Sequence, residues 1–180
     1  MPPDGYIRGD ENVQLEQPFE EEVLLTTRPS FTWRNHKILT QGRLLVQSSD
    51  LTKTLLSIPL AESHRGVGEH SVELPDDAES LSAGESYVWT LEFTPLGEKD
   101  DIQTGAFAIV DRQRADLYQR RIATIDELVS NQSLAEILKA LVAIRAGIFR
   151  EAATYARRAA KSGDAAGSEI LVRLGLEHPD

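Results

Sequence analysis

Tyr87-Val88-Trp89-Thr90-Leu91-Glu92-Phe93 decides how the first half of this chain folds. Tyr87, Trp89, Leu91 and Phe93 alternate with Val88, Thr90 and Glu92. A strand turns successive side chains to opposite faces, so four large apolar groups share one face. Downstream the rhythm repeats in Phe107 and Ile109, and upstream it is set by Phe31 and Trp33 between Ser30, Thr32 and Arg34. A strand with one large apolar face has to bury it against a second sheet.

Worked outward from that stretch, turn residues divide the chain from Val23 to Val110 into short strands expected at 23–27, 30–34, 42–49, 54–58, 70–74, 85–93 and 104–110. Short alternating strands at this spacing predict a β-sandwich. The stretches 59–69 and 94–103 read as loops, and Pro75-Asp76-Asp77 breaks another strand. Residues 1–22 are acidic and rich in Gly and Pro. They read as a flexible lead-in, with a weak strand around Val13 and Leu15.

At Asp111 the period changes. Ala115, Tyr118, Ile122, Ile125 and Val129 recur at spacings of three and four, which predicts an amphipathic helix with Asp111 as its N-cap. Ser133-Leu134-Ala135-Glu136 has the form of a capping box opening a second helix that stops at Gly147. A third helix is expected from Phe149 to Lys161 and a fourth from Ala165 to Leu174. Short connections make neighbouring helices antiparallel. The expected fold class is therefore α+β by segments: an antiparallel immunoglobulin-like sandwich over 23–110, then a helical hairpin array over 111–180.

Two patterns sharpen the sandwich. In Leu81-Ser82-Ala83-Gly84-Glu85-Ser86-Tyr87-Val88-Trp89, Gly84 permits a sharp entry and Tyr87 can return its hydroxyl to the upstream backbone, a tyrosine corner. In Arg28-Pro29-Ser30-Phe31-Thr32-Trp33, proline suits an early strand position. Together they resemble the fibronectin type III and wider immunoglobulin-like class over about residues 23–110. The strand near Gly42-Arg43-Leu44 departs from that class by lacking an aromatic.

In the helical part, Ala140, Gly147, Phe149, Ala152 and Ala159 stand in the order of small and aromatic positions of a tetratricopeptide repeat, with Lys139 where that repeat expects leucine and Asp164 where it expects proline. The whole arrangement resembles a group of uncharacterised bacterial envelope proteins. The matching segments are Arg28-Pro29-Ser30-Phe31, Gly147-Ile148-Phe149-Arg150-Glu151-Ala152 and Leu171-Val172-Arg173-Leu174-Gly175-Leu176. No enzyme activity comes with that resemblance. It implies an envelope or periplasmic location if a leader precedes this sequence, and a cytoplasmic one otherwise.

Charge limits the partners. Of the chain's net charge of −10, residues 1–110 supply 19 acidic against 8 basic groups, and 111–180 are nearly balanced. An acidic sandwich repels a phosphate backbone, so nucleic acid is not an expected partner. There is no cysteine, which excludes disulfides and thiolate chemistry. No 18-residue apolar run exists to span a membrane. His36, His64, His70 and His178 lack metal-ligand spacing. The loops Asp76-Asp77-Ala78-Glu79 and Glu98-Lys99-Asp100-Asp101 carry carboxylates that read as solvated rather than as Ca²⁺ ligands. No nucleophile elbow, P-loop or dinucleotide turn is present, so neither a catalytic residue nor a cofactor is assigned.

The expected function is a non-catalytic protein-binding or scaffold module. The residues assigned to partner contact are Arg157, Arg158 and Lys161, one side of the third helix, with Leu141, Phe149 and Tyr155. Two alternatives stand beside it. A carbohydrate- or polymer-binding sandwich would expose Tyr6, Phe19 or Trp33. A hydrolase with an unrecognised site would need a pocket of convergent carboxylates. Arg8-Gly9-Asp10 reads as a chance match to an integrin tripeptide, and Asn131-Gln132-Ser133 as a helix start rather than a glycosylation acceptor.

Overall fold

A computed structural model describes residues 12–176. The chain divides into two compact units between Ile109 and Val110.

The first unit is an immunoglobulin-like sandwich with eight strands among the described residues: β1 (Val13–Gln17), β2 (Glu22–Leu24), β3 (Ser30–Asn35), β4 (Leu39–Ser48), β5 (Thr54–Pro59), β6 (Gly68–Glu73), β7 (Ser86–Pro95) and β8 (Asp101–Ile109). One sheet runs β1-β3-β6 and the other β2-β8-β7-β4-β5. Every pairing is antiparallel except β2 on β8, where Val23 lies opposite Ala108. The lead-in expected over 1–22 joins the fold where it is described. Val13 is fully buried, and β1 pairs with β3. The loop expected at 94–103 is shorter, because β8 begins at Asp101 and pairs back as far as Phe93.

The apolar alternation becomes the core. Phe31 packs on Trp89 at 5.4 Å and on Phe107 at 5.9 Å between ring centroids, and Tyr87 packs on Phe107 at 5.6 Å. Trp89 needs room on its neighbouring strand. Gly105 lies opposite it, and a β-carbon there would fall 2.7 Å from the indole Nε1. Gly42 makes similar room for Leu60, whose Cδ1 a β-carbon would meet at 2.6 Å. The aromatic absent from β4 is thus replaced by Leu60 folding across the glycine.

The tyrosine corner is present. The Tyr87 hydroxyl accepts from Ser82 N–H at 2.8 Å and donates to Ser82 O at 3.4 Å. Arg28 has a role the sequence did not disclose. Its guanidinium donates to Leu74 O, Pro75 O and Ala78 O at 3.2, 2.5 and 3.1 Å, binding the 74–78 loop to the start of β3.

The second unit holds α1 (Arg112–Leu128), α2 (Gln132–Ala146), α3 (Phe149–Lys161) and α4 (Ala165–Arg173). Asp111 caps α1 by accepting from Arg114 N–H. The expected capping box does not form. Asn131 caps α2 by accepting from Leu134 N–H, while the Ser133 hydroxyl donates to Asp164 at 2.8 Å. Asp164 in turn caps α4, so one carboxylate ties two helix starts together. Gly147 ends α2 in the left-handed region at φ 76°. Alanines 140, 152, 153, 156 and 159 form the buried seam. At Gly167 the backbones of α3 and α4 meet so closely that a β-carbon would lie 2.5 Å from Ala160 N.

Gly105→Ala should therefore lower stability by about 1–3 kcal/mol, because the rigid indole cannot yield. Tyr87→Phe should cost about 1 kcal/mol by losing the corner hydrogen bonds. Urea unfolding of both variants measures this, and a Gly105→Ala protein as stable as wild type would refute the packing described.

Candidate functional site

The second unit buries charge. Glu136 and Lys139 lie on the inward face of α2, each 7% exposed. Lys139 Nζ stands 2.5 Å from Asp126 Oδ1 on α1 and 3.1 Å from Glu136 Oε1. Arg158 Nη1 of α3 lies 3.7 Å from Glu136 Oε2. Lys139 and Arg158 both sit over the ring of Tyr155, at 5.6 and 5.8 Å. The Tyr155 hydroxyl donates to Glu151 Oε2 at 3.2 Å, and Tyr118 of α1 donates to the same oxygen at 3.0 Å.

Electrostatics follow from that geometry. Burial opposes the charge on Lys139, but hydrogen bonds and charge from Asp126 and Glu136 outweigh it and raise its pKa. Burial first, then the Glu151 carboxylate, pushes the Tyr118 and Tyr155 phenols upward. Asp126 and Glu136 are matched by Lys139 and Arg158, and Glu151 accepts from the two phenols. The cluster ties α1, α2 and α3 together and fixes the face that α3 presents.

Of the residues assigned to partner contact, Arg158 and Tyr155 join this cluster. Arg157 and Lys161 point to solvent from α3, Leu141 points out from α2, and Phe149 is half-buried at the start of α3. Sequence reasoning overlooked Tyr118, Asp126, Glu136, Lys139 and Glu151 as a set. The available signal was Lys139 itself, a cation at a position where the tetratricopeptide pattern has leucine.

Elsewhere, His64 and His70 lie 6.1 Å apart, each 5.9 Å from Trp33. His70 Nε2 is 2.7 Å from Gly66 O, and Asn35 donates to His64 O and Gly66 O, holding the 60–67 connection on β3. Among the described residues no three His, Asp or Glu converge to hold a metal. Of the acidic loops, Glu98 pairs with Lys37 at 2.5 Å and Asp76 approaches Arg28 at 3.9 Å. A groove of about 410 Å³ lies along the solvent face of β4, β7 and β8, lined by Gln41, Arg43, Glu92, Thr94 and Asp101. Arg43 is paired with Glu92 there, and Thr94 donates to Asp100 at 2.6 Å. Trp33 is fully buried, against the exposure that a carbohydrate platform needs, and Phe19 is half-buried. Tyr6, Arg8-Gly9-Asp10 and His178 lie outside the described residues. Among the described residues no helix is long and apolar enough to cross a membrane.

No protein-family model matches the chain, and no curated protein matches it. Among solved structures, an engineered protein shares 13% identity over 54% of this chain, at a TM-score of 0.43, and this chain spans only 20% of its length. CopC from Methylosinus trichosporium OB3b shares 13% identity over 56% of this chain and 95% of its own, at 0.44. The RIG-5 IG1 homodimer shares 10% over 55% and 98%, at 0.30. These likenesses carry nothing about ligand or activity.

Lys139→Leu should destabilise the chain by about 2–4 kcal/mol, because it strands the Glu136 carboxylate in a buried seam. The double variant Glu136→Leu/Lys139→Leu should recover most of that loss. Thermal unfolding of the three proteins decides it, and a Lys139→Leu chain as stable as wild type would show that the pair is not coupled.

Burial, then the nearby His70, holds the pKa of His64 below its ordinary 6.5. The unfolded chain therefore binds that proton more readily, so the stability from neutral His64 is present above pH 6.5 and declines below it. His64→Phe should flatten the fall in melting temperature between about pH 7 and pH 5. Equal slopes in the two proteins would dismiss this contribution.

Proposed function

We propose that this chain is a protein-binding or scaffold module with no chemistry of its own, and that its helical unit supplies the docking face. The observation that carries this reading is on α2. Leu134, Leu138 and Leu141 recur at spacings of four and three on the side away from buried Ala140 and Ala143, and Leu134 and Leu141 are 47% and 49% exposed. A row of large apolar groups facing water marks an interaction surface more often than an inert one. On α1, Leu117 and Leu128 are exposed as well. On α3, Arg157, Arg158 and Lys161 add positive charge. Such a face suits a protein partner with apolar anchors and an acidic rim. The R-P-x-F opening and the helical segments that resemble envelope proteins support a place in a bacterial envelope or signalling assembly, and the alanine seam supports a tetratricopeptide-like hairpin.

The carbohydrate- or polymer-binding reading keeps one support, the polar groove over β4, β7 and β8. Its lining of amide, hydroxyl and paired charge suits hydroxyl-rich ligands.

Full-length protein used as bait in bacterial lysate tests the leading reading. Leu134→Asp/Leu141→Asp should lower capture of a specific partner by about tenfold or more with an unchanged melting temperature. Arg157→Glu/Lys161→Glu should weaken capture and reduce its salt dependence. Arg158 is left intact, because a carboxylate there would face Glu136. Capture undiminished in both double variants would remove the helical face from the function.

A further inference from the structure

The sandwich gathers three polar side chains that the helical docking face does not use. Trp33 and His70 lie directly opposite each other on β3 and β6, so both rings take the inward face with buried Trp33. Asn35 follows two residues after Trp33 and takes the same face. Its strand partner is Gly68, which brings no side chain beside it. His64 reaches this place from the 60–67 connection. Its ring lies 6.1 Å from that of His70 and 5.9 Å from that of Trp33. The sequence spacing of the two histidines carries no metal signature, and it is the fold that makes them neighbours.

One carbonyl organises the group. Gly66 O accepts from Asn35 Nδ2 at 2.9 Å and stands 2.7 Å from His70 Nε2. A carbonyl only accepts, so Nε2 carries a proton there and the lone pair of the neutral ring is on Nδ1. Metal-ligating histidines are oriented in this way, with the second nitrogen donating to a backbone carbonyl. The His64 ring touches Trp33 and His70 and forms no hydrogen bond among the described residues. It is half-buried, and can turn a nitrogen toward Nδ1 of His70. Asn35 Nδ2 also donates to His64 O at 3.0 Å, which fixes the amide and leaves Oδ1 as its acceptor end. Asn35 is 1% exposed, and its Oδ1 is buried with no hydrogen-bond partner among the described residues. A buried acceptor without a partner is costly, and a cation satisfies it.

We propose that His64, His70 and Asn35 form a site for a divalent transition metal of the imidazole-binding class, Zn²⁺ or Ni²⁺. A metal–nitrogen bond of about 2.0–2.1 Å puts the ion about 3.2 Å from the centre of each ring. Two ring centres on one ion are then about 5.2 Å apart at a tetrahedral angle and about 6.4 Å apart in line. The observed 6.1 Å lies inside that range. The third oxygen belongs to an amide, so the ligand set is neutral. Imidazole suits Zn²⁺ and Ni²⁺, whereas Ca²⁺ takes a shell of oxygens and Mg²⁺ keeps its waters unless carboxylates hold it. Water completes the shell of the proposed ion. The ion would fasten the 60–67 connection to β3 and β6, beside the carbonyl contacts that already hold it. The site lies wholly within the sandwich and does not rest on the helical docking face.

Fluorescence titration of the full chain with Ni²⁺ near neutral pH tests the site. Ni²⁺ quenches an indole close to it, and Trp33 is 5.9 Å from both histidine rings. Emission should fall saturably, Zn²⁺ should displace Ni²⁺ and restore it, and Mg²⁺ should do neither. Zn²⁺ should also raise the melting temperature. His64→Gln and His70→Gln each remove one imidazole and should weaken Ni²⁺ binding by about tenfold or more. His36→Gln changes an exposed histidine outside the site and should leave binding unchanged. Proton NMR of the wild-type chain makes the test independent of any variant's folding: on addition of Zn²⁺ the imidazole signals of His64 and His70 should move together, and that of His36 should stay. Absence of saturable quenching, binding that survives loss of either His64 or His70, an equal loss in His36→Gln, or Zn²⁺ shifts that spare both histidines each overturns the proposal.

Discussion

Trp89 has to be buried, and the first unit is arranged to bury it. Its indole is too large for a single sheet to cover. Phe31 packs on it from the opposite sheet and in turn contacts Phe107, and Gly105 gives up a side chain so that the ring can lie across β8. Close packing leaves little alternative volume, so the choices at residues 31 and 105 are tied to that at residue 89. The corner at Tyr87 and the Arg28 clamp act at the periphery of this core. They fix where β7 and β3 begin, and so which face their alternating residues present.

The helical unit solves a different problem. Its seam is built from alanine and glycine, which allow close approach of backbones but bury little apolar area per residue. The polar cluster under α2 and α3 compensates in part. Asp126, Glu136, Lys139 and Arg158 neutralise one another, and Tyr118 and Tyr155 converge on Glu151. Paired charges of this kind contribute less to stability than to selecting one arrangement. Here the arrangement selected fixes which residues of α2 and α3 are left facing outward.

What could be read from sequence was what period and turn chemistry express locally. The change of rhythm at Asp111 separates strands from helices, and the spacing from Gly84 to Tyr87 specifies a corner that closes on Ser82. What escaped was set by distant partners. Strands around Val13 and Val23 were legible, but not that the first pairs with β3 and the second lies parallel to β8. Ser133 and Glu136 have the spacing of a capping box, yet each finds a stronger partner elsewhere, Asp164 and Lys139. The buried charge cluster has no local signature. Its members come from three helices, and one odd lysine was the only trace of it.

The α2 stripe follows from the same packing. The alanine seam on the other side of α2 already satisfies contact with α3, and Leu134 and Leu141 are left facing water. In the first unit the chain leaves β5 at Pro59, and the 60–67 connection crosses between the sheets. Asn35 holds it on β3, and Arg65 holds it on β4, its carbonyl accepting from Leu39 N–H and its guanidinium donating to Thr40 O. One amide and one guanidinium therefore fix the path that the turn residues alone leave open.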